Sequence, residues 1–396
     1  MTSRRQFLAN SVRVGALLGV GVPLLQACGG STAGSRKVTK GIADGLSPEK
    51  GPLRIFNYAD YVNPDVIAAF EKDFGVKVEI TTFNSNSEAL AKLASGAVKA
   101  DIHHSMFPSS INRLIEGGLV QPLNKSYLPN FANVVPTFVD PWYDPKATYS
   151  VPYTLYSTGL GYRTDRIDPA TVEAQGWNAL WGASAFKGQV SVLDDTREVF
   201  AMAYLHQGLA DINSVDPKVI DAALADLRTM RDAVNAKVNI EAYKDIPEGV
   251  TTIAQTWSAD LVNAAASFLP QGTDASVLGF WHPPAGKYVV NNDAIGVTTN
   301  AEHPVLAHAY INYLLDETHA ETNFSWTGYL PALKKMSADY VIGKGLVPPN
   351  LKQCIPTAEE ITKGLSFTQL GPDGDALYDA AWSKDRKSTR LNSSHT

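Results

Sequence analysis

Four short segments of the chain between them gather carboxylates, aromatic rings and amides: Asn57-Tyr58-Ala59-Asp60-Tyr61, Asp194-Asp195-Thr196-Arg197-Glu198, Gln255-Thr256-Trp257 and Asn291-Asn292-Asp293. Each follows a short apolar run, and together they hold little positive charge. Such a set suits an organic cation. Carboxylates replace the water an alkylammonium loses with charge-assisted hydrogen bonds, each worth about 1.5–3 kcal/mol. Aromatic faces attract the cation by roughly 0.5–2 kcal/mol and cover the methylenes between charges. A linear polyamine alternates these two demands along its length, and three or four such contacts reach the roughly −8 kcal/mol of a micromolar site.

Other chemistries find less support. There is no H-E-x-x-H, G-x-S-x-G or G-x-x-x-x-G-K-[ST], and Gly159-Leu160-Gly161 lacks the third glycine of a dinucleotide loop. No cofactor or metal is expected. Asp195 and Glu198 have the spacing of an acid/base pair, but no nucleophile accompanies them. The same spacing suits an N-cap at Asp195 and a capping-box partner at Glu198. His103 and His104 are adjacent, so on a strand they point to opposite faces and read as structural or cleft-lining residues rather than joint metal ligands. His303 and His308 read as surface residues, and Trp142, Trp177 and Trp181 as core.

The elements that must position the four segments alternate in type. Leu53 to Phe56 suits a strand. Pro64 opens a helix with Val66, Ile67, Phe70 and Phe74 on one face. Val76, Val78 and Ile80 alternate with polar residues as a half-buried strand. A strand over 189–193 leads into a helix from about Thr196, and 305–315 is a late amphipathic helix. This alternation predicts an α/β fold with a largely parallel sheet. In open α/β sheets ligands bind beyond the carboxyl ends of strands, which is where the four segments fall.

The chain has 396 residues, enough for two domains or lobes. Its net charge of −6 argues against a sequence-independent nucleic-acid binder. The two ends are basic, so the body between them is more acidic still. Thr2 to Leu8, with Arg4-Arg5, reads as a twin-arginine export motif. An apolar, glycine-interrupted stretch follows, too short for a convincing membrane span. It ends in Leu25-Gln26-Ala27-Cys28, which resembles a lipobox with Cys28 as the lipidated residue. Residues 1–27 are therefore expected to be a signal peptide and 28–50 a flexible tether. Cys354 then has no partner within the chain for a disulfide. Residues 384–396 resemble translated adapter read-through, and the fold is expected to end before them.

These segments, in their order, resemble the spermidine/putrescine-binding periplasmic proteins of bacterial ABC importers. Leu53 to Val62 is similar to the family's first strand and N-W-x-[DE]-Y turn, and Phe74 to Val78 to its G-x-K-V. Ser150 to Tyr153 resembles the crossing into the second lobe. Trp177 to Trp181 with Lys187-Gly188 looks like its W-x-x-L-W and K-G, and Asp194 to Phe200 like its D-D-x-R-E-V-F. The likeness runs from about residue 52 to 382. It implies a two-lobed type II periplasmic binding protein with a hinged interlobe cleft: residues 51–153 and 292–345 as one lobe, 154–291 and 346–383 as the other. It implies cleft acids at Asp60, Asp195, Glu198 and Asp293, and walls at Tyr61, Trp257 and Tyr329. Two positions depart from the pattern. Tyr58 stands for the first-turn tryptophan and Asn291 for the tryptophan two before Asp293, which makes the cleft more polar. Trp281 is a candidate to refill the gap.

The implied protein is a periplasmic monomer, lipid-anchored through Cys28, that delivers a polyamine to ABC permease subunits. A ferric-ion-binding protein of the same fold is the alternative, with Tyr58, Tyr61, Tyr329 and His104 as ligands. A twin-arginine-exported periplasmic enzyme is the alternative of another class.

Overall fold

The computed structural model describes residues 40–284 and 286–392, with side chains through Lys384. The twin-arginine motif, Cys28, the whole of the expected signal peptide and residues 28–39 of the expected tether lie outside the described residues, whereas the helix Gly371–Asn392 continues through residue 384, where the fold was expected to have ended. Among the described residues there are ten strands: β1 (Leu53–Asn57), β2 (Val78–Thr82), β3 (Ile102–Met106), β4 (Val151–Arg163), β5 (Val190–Leu193), β6 (Lys237–Asn239), β7 (Ile253–Trp257), β8 (Leu278–Trp281), β9 (Val290–Val297) and β10 (Leu330–Pro331). They form one sheet in the order β2-β1-β3-β9-β4-β7-β5-β6, with β8 and β10 also pairing β4.

The expected helix after β1 is Pro64–Phe74. Asn63 caps it by accepting from the Asp65 amide, Pro64 supplies the preset first turn, and Gly75 ends it in a left-handed conformation. Val66 and Phe70 carry its buried face into a core shared with Tyr310 and Phe324. A second core lies under β4, β5 and β7, where Val199, Phe200 and Tyr204 of the helix Thr196–His206 pack against Leu224 and Leu227 of the helix Pro217–Val234.

The sheet is less parallel than its strand–helix alternation predicts. β1 pairs β2 and β3 in parallel, and β5 pairs β6 and β7 in parallel. Every ladder involving β4 or β9 is antiparallel. These two long strands run between the outer βαβ units, so the helical crossovers that force parallel pairing do not apply to them. β4 is buried along its whole length. Its residues up to Ser157 pair β9, and those from Thr158 pair β7.

Three local expectations change. β9 begins at Val290, so Asn291, Asn292 and Asp293 lie inside it rather than beyond a strand end, opposite Tyr156, Leu155 and Thr154 of β4. Each of the three polar side chains finds a buried partner, which lets a polar triplet sit where an apolar pattern is usual. Trp142 is 53% exposed and not core, whereas Trp177 is buried against Trp281. His308 is buried, because its Nε2 accepts from the Asn124 amide and its Nδ1 faces the Pro304 carbonyl one helical turn back. His103 and His104 lie within β3 on opposite faces, His103 against Phe56 and Phe83, His104 against Tyr153 and Tyr61. Burial lowers their pKa values to about 4 and about 3 and keeps both rings neutral.

Candidate functional site

Six of the eight residues singled out from the sequence line one cavity: Tyr58, Asp60, Tyr61, Trp257, Asp293 and Tyr329. They reach it from four places in the chain. Tyr58, Asp60 and Tyr61 follow β1, and Asp60 holds a left-handed backbone (φ 52°). Trp257 ends β7, Asp293 projects from β9, and Tyr329 precedes β10. Gly328 fixes Tyr329: its φ is 70°, and a Cβ there would lie 2.6 Å from the Asn263 amide nitrogen and 2.7 Å from the Ala259 carbonyl oxygen. Only glycine fits that approach.

Asp293, 2% exposed, is the floor of the site. Tyr156 of β4 donates its hydroxyl to Oδ1 at 2.8 Å, and Tyr61 donates to Oδ2 at 2.9 Å. Burial raises the Asp293 pKa to about 7. The two tyrosine hydroxyls oppose that shift, and nearby Asp195 adds to it. The rings around it meet edge to face: Tyr61 and Tyr329 at 4.7 Å, Tyr156 and Tyr329 at 5.5 Å, Tyr156 and Trp257 at 6.1 Å, Tyr58 and Tyr61 at 6.2 Å. Tyr58, the smaller replacement of the expected tryptophan, leans on Phe83 at 4.4 Å.

Asp195 and Glu198 do not line this cavity. Asp195 is the N-cap of Thr196–His206, accepting from the Arg197 and Glu198 amides. It opens instead onto a second cavity with Arg113, Arg197 and Asp375, which meets the first at Phe107. Glu198 does not close a capping box. Its Oε1 accepts from Trp257 Nε1 at 3.1 Å and from Asn291 Nδ2 at 3.0 Å, while Oε2 is buried without a partner. Glu198 therefore stands behind Trp257 and sets the indole's tilt. Burial and the neighbouring Asp195 push its pKa up to about 8. Asn291 holds this carboxyl in place and presents no ring to the cavity. Trp281 packs on Trp177 at 5.5 Å and does not refill the gap.

Several cavity residues escaped the sequence reading, Asp260 and Tyr156 among them. Asp260, in the first turn of the helix Ser258–Asn263, accepts from Tyr329 at 2.8 Å and from Thr256 at 2.5 Å, and burial raises its pKa to about 6. Its signal was its place three residues after Trp257, one helical turn on. Tyr156 sits inside β4, which is buried along its whole length, and gave no signal. Asp60 is not free: Lys244 Nζ lies 2.7 Å from its Oδ2.

The arrangement offers a buried acid floor at Asp293 and Asp260 inside aromatic walls, short of cations. That suits an alkylammonium. It suits ferric ion poorly. Ferric coordination needs phenolates, whereas Tyr61 and Tyr329 donate their protons to carboxylates and burial raises the pKa of Tyr58, Tyr61 and Tyr329 well above the ordinary value.

The sequence profile of bacterial extracellular solute-binding proteins matches residues 65–345. The spermidine/putrescine-binding periplasmic protein of Escherichia coli is 29% identical over 350 residues, covering 87% of this chain and 94% of that protein. The putrescine/cadaverine-binding protein of Pseudomonas aeruginosa is 28% identical over 295 residues, covering 73% and 81%. Among solved structures, one from Listeria monocytogenes assigned to a spermidine/putrescine ABC transporter superposes with a TM-score of 0.71 at 25% identity, over 84% of this chain and 98% of that one. The substrate-binding protein PotD of Streptococcus pneumoniae shares the fold at a TM-score of 0.65 and 22% identity, over 85% and 98%.

Proposed function

We propose, for a chain that belongs to the bacterial extracellular solute-binding protein family, that it is the periplasmic polyamine-binding component of an ABC importer. The observation that carries this reading is the Asp293 carboxyl, buried among Tyr61, Tyr156, Trp257 and Tyr329 with hydroxyl donors but no cationic partner. An ammonium placed against it would replace lost hydration with charge-assisted bonds and sit among aromatic rings at the same time. Asp260 would take part of the same positive charge, and Tyr58 and Trp257 would cover the methylene chain.

In this reading residues 51–153 and 292–345 form one lobe and residues 154–291 and 346–383 the other, with β4 and β9 as the crossings. Ligand binding would draw the lobes together, and the closed form would deliver the cation to permease subunits as a monomer. The reading includes export by the twin-arginine route and a lipid anchor at Cys28, and it assigns no catalysis to the chain. Relatives named for spermidine, putrescine and cadaverine support the ligand class. Tyr58 in place of a tryptophan makes this wall more polar, which suits putrescine or another diamine as well as spermidine.

Thermal shift of the full chain against putrescine, cadaverine and spermidine, with arginine and Fe³⁺ as comparisons, tests the reading. A ligand that binds only the folded state raises the melting temperature by mass action. A selective rise with one or more polyamines is expected. Equal melting temperatures with every amine would refute the ligand class.

A further inference from the structure

The chain already presents a primary ammonium to one acid of the candidate site, and it is its own. Lys244 Nζ lies 2.7 Å from Asp60 Oδ2, and the Tyr243 hydroxyl donates to the same oxygen at 3.2 Å. The ammonium lies 4.8 Å from the centre of the Tyr243 ring and 5.4 Å from that of Phe268. A carboxylate flanked by aromatic faces is the environment that recognises an alkylammonium. Asp60 and Tyr243 both line the cavity that holds Asp293, so the occupied position belongs to that cavity's rim. Lys244 comes from the short helical turn Ala242–Asp245 after β6, the last strand of the sheet order, and Asp60 from the turn after β1, the second strand from the other end.

We infer that Lys244 is a specificity-determining residue, a tethered amine that fills the Asp60 subsite and that a ligand's second ammonium must displace. This rests on the polyamine reading above. A monoamine needs only the Asp293 and Asp260 end of the cavity and leaves Lys244 in place. A diamine or triamine gains Asp60 only by breaking the Lys244 ion pair. The lysine thus sets a penalty on ligands by their charge number and length.

The test is isothermal titration of butylamine, putrescine, cadaverine and spermidine into the full chain and its Lys244→Met variant, which keeps the stem and removes the charge. Lys244→Gln serves as a second replacement, and circular dichroism checks the fold of both. The expected result is a gain of about tenfold or more for at least one polyamine, with less than a twofold change for butylamine. Adding Asp60→Asn to Lys244→Met should abolish that gain. Polyamine binding that is unchanged or weaker in both Lys244 variants overturns the inference and leaves the polyamine reading standing. No amine binding by any of these proteins overturns both. Binding that emerges only on removing Lys244 supports the inference and explains a silent parent chain.

Discussion

Tyr329 and Asp260 are joined by a 2.8 Å hydrogen bond that ties the residue before β10 to the first turn of the helix after β7. The phenol hydroxyl is the donor, so the carboxylate keeps its other oxygen for Thr256. Both residues face the cavity. An acid held this way is fixed in direction without being neutralised. It should matter to binding although it lies outside the four segments that first drew attention.

Asp260→Asn is accordingly expected to weaken polyamine binding by about tenfold or more, in line with the roughly 1.5–3 kcal/mol of a hydrogen bond to a charged group. Calorimetry on the purified variant is the check. An affinity within twofold of the parent would remove Asp260 from the site.

Asp293→Asn should cost more, because Asp293 is the floor of the cavity and two tyrosines are aimed at it. A loss of about thirtyfold or more is expected, with little change in the melting temperature of the empty protein, since asparagine still accepts from one tyrosine. Unaltered affinity in this variant would sink the assignment of the floor.

Asp195→Asn should behave differently from both. Asp195 caps a helix and faces the second cavity. Asparagine is an equally good cap, so stability should change little, whereas Asp195→Ala should lose about 0.5–2 kcal/mol. Denaturant titration measures the stability loss. A parallel drop in polyamine affinity of more than tenfold in Asp195→Asn would return Asp195 to the binding site.

Acidity offers a further test. Burial raises Asp260, Asp293 and Glu198 to about 6, 7 and 8, all above their ordinary values. The folded protein therefore holds protons that the unfolded chain releases. The stability linked to them is fully present below the ordinary carboxyl range and is lost as pH rises through the folded values. The empty protein's melting temperature should fall between about pH 5 and pH 8. A bound cation favours the ionised carboxylates, so affinity should rise over the upper part of the same interval and binding should release protons. Titrations in buffers of different ionisation enthalpy measure that release. Heats that are independent of buffer would contradict it.

Much of the site was legible because strand ends follow one another in a fixed way. The turn after β1 and the end of β7 were placed by their apolar runs, and Tyr58, Asp60, Tyr61 and Trp257 followed. What misled was polarity inside strands. Asn291 to Asp293 break an apolar pattern, yet each is satisfied by a partner from elsewhere in the chain, and such partners cannot be read from local sequence. Asp195 and Glu198 were read as a pair, but three-residue spacing at a helix start sends one to the cap and the other to the far side of Trp257. Lys244 lies 184 residues from Asp60, and no periodicity reports a tertiary ion pair.

The long strand β4 divides its two runs of hydrogen bonds between β9 and β7, changing partners at Ser157 and Thr158. Any rocking of one end of the sheet against the other must be absorbed near that change of partner, where β9 and β7 each leave off. Neither end can melt without stripping half the partners from a strand the other end also needs. The molecule can flex there, yet it should come apart as one cooperative body.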